Sequence, residues 1–271
     1  MLTSIILVDY NSAKVTRKML ESIREFKYIK QIIIVDNNSQ LENYEELIGY
    51  TKGLERSKSK KINVLRSDEN LGYFGGLNLG IDFVLKNYEG ENVLIANNDL
   101  LFEEDFFEIL NQEKFNVKDL VIAPRVKTID GHEQNPHLIS KIGKKNILLY
   151  DFYYLNYYLG MLILKVKRKF MGRRKVKQVD KGMEIFAGIG AIYILTPYFF
   201  DCYRTLECPV FLWGEEIFLA HQIERVNGKI VYNPKLKVKH LESVTTSQMP
   251  SKEKYLLTKK SYKIYKKYMT K

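Results

Sequence analysis

Cysteine is almost missing from this chain: Cys202 and Cys208 are the only two in 271 residues. Two thiols cannot make a disulfide framework, and no Cys/His cluster has the spacing of a zinc site. Both absences point to a reducing compartment. No Gly-Lys-Ser/Thr triplet occurs, which excludes a phosphate-binding P-loop, and no dinucleotide fingerprint follows the first apolar run. The N-terminus lacks the basic start and small-residue cleavage site of a signal peptide, so Met1 to Val8 is read as a first buried strand. Internal repeats and long low-complexity linkers are also lacking. What remains is 45% hydrophobic and 13% aromatic, enough to fill a real core and to exclude a disordered chain.

Charge is unevenly spread. The net +11 hides a segment from Lys141 to Lys181 with 12 Lys/Arg against 2 Asp, and a C-terminal stretch from Ser251 with 8 Lys against 1 Glu. These two segments hold +10 and +7, so the rest of the chain is at −6. The basic character belongs to two appendages on a mildly acidic body.

Up to Arg125, short β-branched runs alternate with longer amphipathic stretches, the pattern of a parallel sheet with crossover helices. Strands are predicted at Ser4 to Val8, Gln31 to Val35, Lys61 to Leu65, Asn92 to Ala96 and Leu120 to Ala123. Helices are predicted at Lys14 to Phe26, Glu42 to Leu54, Gly75 to Asn87 and Glu104 to Phe115, with Ile23, Phe26, Phe83 and Leu110 among the buried residues. A second half follows, with a strand at Glu184 to Leu195, a helix at Glu215 to Asn227, strands at Lys229 to Tyr232 and Lys235 to His240, and a terminal Lys/Tyr-rich helix. The expected organisation is one domain over 1–250, with halves at 1–125 and 126–250 and a basic aromatic insertion at about 141–181, then a basic helix over 251–271.

The insertion contains an apolar aromatic run from Ile147 to Leu164. Eighteen residues with one charge sit at the lower limit of a membrane span. Its tyrosines and basic sequel favour an interfacial helix on anionic lipid, with the rings at headgroup level; a packed helix and a spanning helix are the other two readings.

Four polar clusters fall just after predicted strands, where open α/β sheets bind ligands. Asp9-Tyr10-Asn11 follows the first strand and Asp36-Asn37-Asn38-Ser39 the second. Asp36 could accept a bond from a base N–H or a ribose hydroxyl, or cap the next helix. Asn70, Gly72, Gly75, Gly76 and Asn78 open a helix after the third strand; glycines there permit close backbone approach and a helix N-terminus favours anions, while a structural turn with Gly80 packing helix on sheet is the plainer reading. Asn97-Asn98-Asp99 follows the fourth. One carboxylate there suits a metal-bound phosphate, and a satisfied turn is the alternative. Further on, Glu215 and Glu216 begin a helix, where the dipole favours acids whatever their function. Adjacent residues project differently, so at most one of them faces a cleft. His240 ends a short strand as a structural histidine or a metal ligand.

Taken in order, these clusters together with Gly188-Ile189-Gly190-Ala191, Trp213-Gly214 and Gly228 resemble the family 2 glycosyltransferases of the GT-A fold, in particular the rhamnosyltransferase-like bacterial enzymes of surface polysaccharide synthesis. The resemblance runs from Leu2 to about His240. It implies an α/β GT-A fold with a Rossmann-like nucleotide-sugar half and an acceptor half. It also implies inverting transfer of a sugar, possibly rhamnose, from a dTDP or UDP donor to a hydroxyl of a glycan or lipid-linked acceptor.

By the same resemblance Asp99 binds Mn²⁺ or Mg²⁺, His240 completes the metal site, and Asn97 lies near the ribose or metal. Asp36 recognises the base, with Asp9, Tyr10, Asn11, Asn38, Asn70, Gly72, Gly75, Gly76, Asn78 and Asn98 around the donor. Glu216 is the general base, Glu215 supports it, and Gly188, Gly190 and Trp213 line the acceptor side. The chain departs from the family pattern in Asn97, which replaces an acid and lowers the charge offered to a metal. It departs again at Phe218, where another acid is usual, and at Gln222, where an arginine often lies.

A cytoplasmic location at the inner face of the membrane and a homodimer are further expectations; a nucleic-acid partner is not expected. Competing functions are a catalytically inactive glycosyltransferase-like partner, a sugar nucleotidyltransferase, and an RNA-binding module built on the Lys/Tyr segments. Asp9-Tyr10-Asn11-Ser12 lacks the Gly-rich basic loop of a nucleotidyltransferase, and the acidic body argues against RNA.

Overall fold

The computed structural model describes all residues except Glu25, 59–60, 172–177, Leu212, 242–250 and Lys271. Nine strands form one sheet. Its parallel part comprises β1 (Thr3–Asp9), β2 (Ile29–Asp36), β3 (Lys61–Arg66) and β4 (Asn92–Asn97), in the spatial order β3-β2-β1-β4. Beyond β4 the order continues with β8 (Ile192–Leu195), β6 (Asp119–Thr128), β9 (Lys229–His240) and β5 (Leu100–Phe102), while β7 (Met183–Ile185) pairs with β9. β8 runs antiparallel to both β4 and β6, so the predicted fifth strand keeps its direction but is separated from β4 by a later segment.

Each central strand is apolar on both faces, as the near-continuous β-branched runs require. Ile5, Leu7, Ile32, Ile34 and Leu94 pack on one side against α1 (Ala13–Ser22), α2 (Leu41–Lys58) and α4 (Phe106–Gln112). Ile6, Ile33, Val35, Val93 and Ile95 pack on the other against α3 (Gly72–Leu85), α7 (Pro197–Cys202) and α8 (Glu215–Glu224). Ile23, Phe26 and Leu110 are buried as expected, whereas Phe83 is only half-buried. Cys202 and Cys208 are free thiols.

Three sequence expectations need correction. Glu184 to Leu195 is two strands, β7 and β8, split by the Gly188–Gly190 turn and placed in different parts of the sheet. Lys229 to Tyr232 and Lys235 to His240 are one continuous strand, β9: Pro234 falls at the register shift opposite Pro124/Arg125, where the missing N–H costs no ladder bond. The aromatic run is likewise broken into α5 (Lys144–Tyr153) and α6 (Tyr157–Met171), and among the described residues no helix is long and apolar enough to cross a membrane. The spanning reading is therefore set aside. The part of the basic run at 172–177 lies outside the described residues.

The strand register sets out the site. Asp9 pairs with Asp36, and Val8 with Asn97, so the polar clusters after β1, β2 and β4 sit side by side at one edge. α3 can lie close to that edge because a Cβ on Gly76 would stand 3.0 Å from Val8 Cγ2, and one on Gly80 only 2.3 Å from Ile6 Cγ2. Gly80→Ala should therefore destabilise the protein by roughly 1–3 kcal/mol through overpacking, read from urea unfolding. An unchanged midpoint would show that α3 is free to shift off the sheet.

Candidate active site

Asp9 is buried, and its carboxylate accepts five hydrogen bonds: from the Ser12 N–H and hydroxyl, the Thr16 hydroxyl, Asn43 Nδ2 and Asn98 Nδ2. With its oxygens so occupied, Asp9 ties α1, α2 and the β4–β5 turn together. Asn98 is drawn inward in the same way, since its amide also donates to Ser12 Oγ and Thr16 Oγ1 at 2.7 Å. Asn11, at φ 52°, joins the first two loops: its N–H donates to Ser39 Oγ and its Oδ1 accepts from the Gln40 N–H. Tyr10 stands at the rim, 38% exposed, and Asn38 takes a left-handed φ of 67°.

Asp36 differs from Asp9. It is fully buried, yet neither carboxylate oxygen has a hydrogen-bond partner, and the nearest cation, Arg66, is 3.6 Å from Oδ2. A buried carboxylate with free lone pairs is costly unless a ligand supplies donors. Arg66 is held beside it by a bond to the Ser39 carbonyl and by the Tyr44 ring.

The glycine cluster is partly a packing device. Gly72 has φ 72° and a Cβ there would meet the Phe211 carbonyl at 2.5 Å, while Gly76 faces Val8 and Gly75 faces Leu71. Asn37, named in the second cluster without a role of its own, does the positioning: its Oδ1 accepts from the Leu71 N–H and its Nδ2 donates to Asn70 Oδ1 and the Gly72 carbonyl. Asn70 Oδ1 also accepts from the Gly72 N–H. Asn78 reaches across to the second half, exchanging two hydrogen bonds with the Leu206 backbone.

Asp99 and His240 come together through the antiparallel pairing of β5 with β9, in which Leu100 lies opposite His240. His240 Nε2 is 3.2 Å from Asp99 Oδ1, but no hydrogen bond forms, and Nε2 and both Asp99 oxygens are buried without partners. His240 Nδ1 lies 2.7 Å from Gln134 Oε1, which orients the ring. An imidazole nitrogen and a carboxylate this close, both without hydrogen-bond partners, fit a cation beside them. Among the described residues no group of three or more His, Cys, Asp or Glu could hold a metal, so an ion here would need oxygens from its ligand. Asn97 ends β4 next to this pair, its N–H committed to the Ala191 carbonyl.

Opposite lies the start of α8. Trp213 and Gly214 both adopt positive φ, 64° and 98°, a turn that sends the two glutamates different ways. Glu215 points inward and accepts the Trp213 N–H at 3.0 Å; burial, then the neighbouring Glu216 charge, pushes its carboxyl up to about 8. Glu216 is half-buried and lies beside Gly190, where a Cβ would stand 3.7 Å from its Oε2. The Gly188–Gly190 turn is fixed by Tyr193, whose hydroxyl donates to the Gly188 carbonyl, and by Asn135, whose Oδ1 accepts the Ile189 N–H. Tyr73 fills the space between the halves with a buried, unpartnered hydroxyl within reach of the Glu215 and Asp99 charges.

The departures at Phe218 and Gln222 have structural explanations. Gln222 staples the preceding loop through the Thr205 carbonyl and the Glu207 N–H. Phe218 packs on Tyr265 and Tyr268 of the C-terminal segment. Gln134 and Asn135 carried no motif signal; their roles depend on partners 106 and 54 residues away.

Residues 4–178 match the sequence pattern of the family described as "Glycosyl transferase family 2". The low-salt glycan biosynthesis hexosyltransferase Agl10 of Haloferax volcanii is 28% identical over 129 residues, 47% of this chain and 38% of the relative, so the match spans well under half of that relative's length. Among solved structures, GalNAc-T7 with UDP, GalNAc and Mn²⁺ superposes with a TM-score of 0.61 at 14% identity, covering 92% of this chain and 45% of the other. The mannosyltransferase PcManGT from Pyrobaculum calidifontis, with GDP-Man and Mn²⁺, gives 0.55 at 13% identity, covering 96% and 69%. At these identities the structures speak to fold, and the fold they share is GT-A.

Glu215 gives the site a pH signature. Its carboxyl is raised above the unfolded value near 4.5, so its contribution to stability is fully present below pH 4.5, falls as pH rises and is lost through about 8. Glu215→Gln should keep the fold and flatten the decline of Tm across that window. A decline as steep as in the parent protein would mean the burden lies on another group.

Proposed function

Because the chain belongs to glycosyl transferase family 2, we propose that it transfers a sugar from a nucleoside diphosphate donor to a hydroxyl, with inversion at the anomeric carbon. The observation that carries this reading is the set of atoms left without hydrogen bonds, both Asp99 oxygens and His240 Nε2, together with Glu216 beside Gly190. The buried, donor-free carboxylate of Asp36 suits a base N–H, as in a UDP or dTDP donor. The N-terminal end of α3 favours a diphosphate through its dipole, the Leu71 and Gly72 N–H groups themselves being bonded to Asn37 and Asn70.

Asp99 and His240, with Asn97 adjacent, would hold Mn²⁺ or Mg²⁺, which supplies neutralisation of the charge developing on the departing diphosphate. Glu216 accepts the proton of the acceptor hydroxyl as its oxygen attacks the anomeric carbon and the bond from that carbon to the diphosphate oxygen breaks. Glu215 keeps its own proton near neutral pH and fixes the Trp213–Gly214 turn that aims Glu216. Asp9 and Asn98, assigned to the donor from the motif, act here as positioning residues, because their polar atoms are already bonded within the protein.

The resemblance to rhamnosyltransferase-like enzymes alone suggests rhamnose as the transferred sugar and bacterial surface polysaccharide as the product. The basic segments favour a peripheral position at the inner face of the membrane, where a lipid-linked acceptor is presented. Glu216→Gln should lower transfer by about 10²–10⁴-fold while leaving donor binding within a few-fold, measured by turnover and by nucleotide titration. Full activity in that variant would remove Glu216 from the role of base.

A further inference from the structure

The α5–α6 pair carries an apolar surface that no described part of the chain covers. Leu148, Leu149 and Phe152 recur at helical spacing on α5, Leu155 follows in the connecting turn, and Leu162 and Val166 continue at a four-residue interval on α6; all six are between 48% and 66% exposed. Side chains of this size are seldom left together in water. Three of the five tyrosines of the same stretch, Tyr153, Tyr154 and Tyr157, turn the other way, while Tyr150 and Tyr158 stay exposed beside the leucines. Tyr154 stacks on Tyr262 with ring centroids 4.6 Å apart, and Tyr153 and Tyr157 meet Tyr255 edge-on. Their partners belong to α9 (Ser251–Tyr265), so the basic C-terminal helix is a backing layer and not a free tail. Lys259 donates to the Leu155 carbonyl and Lys266 pairs with Asp151, which commits part of its charge to holding the hairpin.

We infer that the outer face of α5 and α6 is a lipid-contact surface, with the leucines and Phe152 entering the acyl boundary of an anionic membrane and flanking lysines meeting the lipid phosphates. Lys144 and Lys145 are exposed at the start of α5, and Lys165 near the end of the α6 stripe. The exposed lysines bring positive charge to the stripe, so a second copy of this face would repel the first, whereas anionic headgroups attract it. Insertion is shallow, since no described helix is long and apolar enough to cross. This sharpens the sequence expectation: aliphatic side chains meet the lipid with Tyr150 and Tyr158 among them, and the rings of Tyr153, Tyr154 and Tyr157 lie beneath.

The backing layer also reaches the site. Tyr265 meets Tyr262 edge-on, and its ring fills the space beside Gly214, where a Cβ would clash at 2.3 Å. One packed stack therefore links the lipid face to the turn that aims Glu216. The inference rests on the membrane location proposed above but not on the sugar-transfer chemistry, and the test separates the two.

Full-length protein is floated with phosphatidylcholine vesicles with and without phosphatidylglycerol, beside a Leu148→Ser/Leu149→Ser/Phe152→Ser variant whose fold is checked by circular dichroism. Removing α9 is unsuitable, because that strips the inner side of the hairpin. The parent should bind the anionic vesicles and stay partly bound in high salt, and the variant should lose about tenfold or more of that affinity. Manganese-dependent nucleotide binding should be equal in both. Equal vesicle binding by parent and variant, or no binding by the parent, would overturn the lipid face while leaving the sugar-transfer reading standing. A dimer in light scattering that the variant abolishes would overturn it in favour of a second copy of the chain.

Discussion

The whole upper edge of the sheet hangs on the Asp9 carboxylate. A lone charge buried at that depth would cost several kcal/mol, and what offsets the cost is five donors brought from α1, α2 and the turn after β4. The same five bonds set the loops' relative positions. Asn98 is held inward by Asp9, Ser12 and Thr16, and that leaves its neighbour Asp99 turned toward β9 and His240. One satisfied acid thus positions an unsatisfied one.

The contrast between these acids divides structure from function within a single edge. Asp9 has its partners inside the protein; Asp36 and Asp99 are as deeply buried and have no hydrogen-bond donors. Buried polar atoms without partners are rare, and two carboxylates and an imidazole nitrogen left so fit the proposed ligand, with base N–H groups at one end and a cation with its diphosphate at the other. The glutamate pair repeats the division. Glu215 is spent on the turn and raised by burial, and Glu216, next to Gly190, is the one left for the proposed proton transfer.

Much of this was legible in the sequence, and for identifiable reasons. The four parallel strands and their helices were found because each is apolar on both faces and bounded by turn residues, and the clusters after them fell at one edge because parallel strands end together. Asp36, Asp99, Glu216 and His240 were named from motif positions; of these, Asp36, Asp99 and His240 carry buried polar atoms without hydrogen-bond partners. Less was readable where a role depends on distant partners: Gln134 and Asn135 act through bonds to residues far along the chain, and no local pattern marks them. The packing of the aromatic run was hidden for a related cause. Composition alone did not show that α9 supplies Tyr153, Tyr154 and Tyr157 with ring partners, and only the folded chain brings that helix from 102 residues away. Phe218 and Gln222 were read as departures from a pattern and are the side chains that dock the C-terminal segment and the 205–207 loop.

The central claim is that Asp99 and His240 form half of a cation site whose other half is the donor diphosphate. Calorimetric titration of Mn²⁺ into the protein, with and without a saturating nucleoside diphosphate, tests it directly. Mn²⁺ alone should bind weakly, tighten by about tenfold or more in the presence of the nucleotide, and tighten the nucleotide by the same factor, since coupling is reciprocal. Asp99→Asn should abolish that coupling. Mn²⁺ binding equally tight without the nucleotide, or coupling that survives Asp99→Asn, would contradict it.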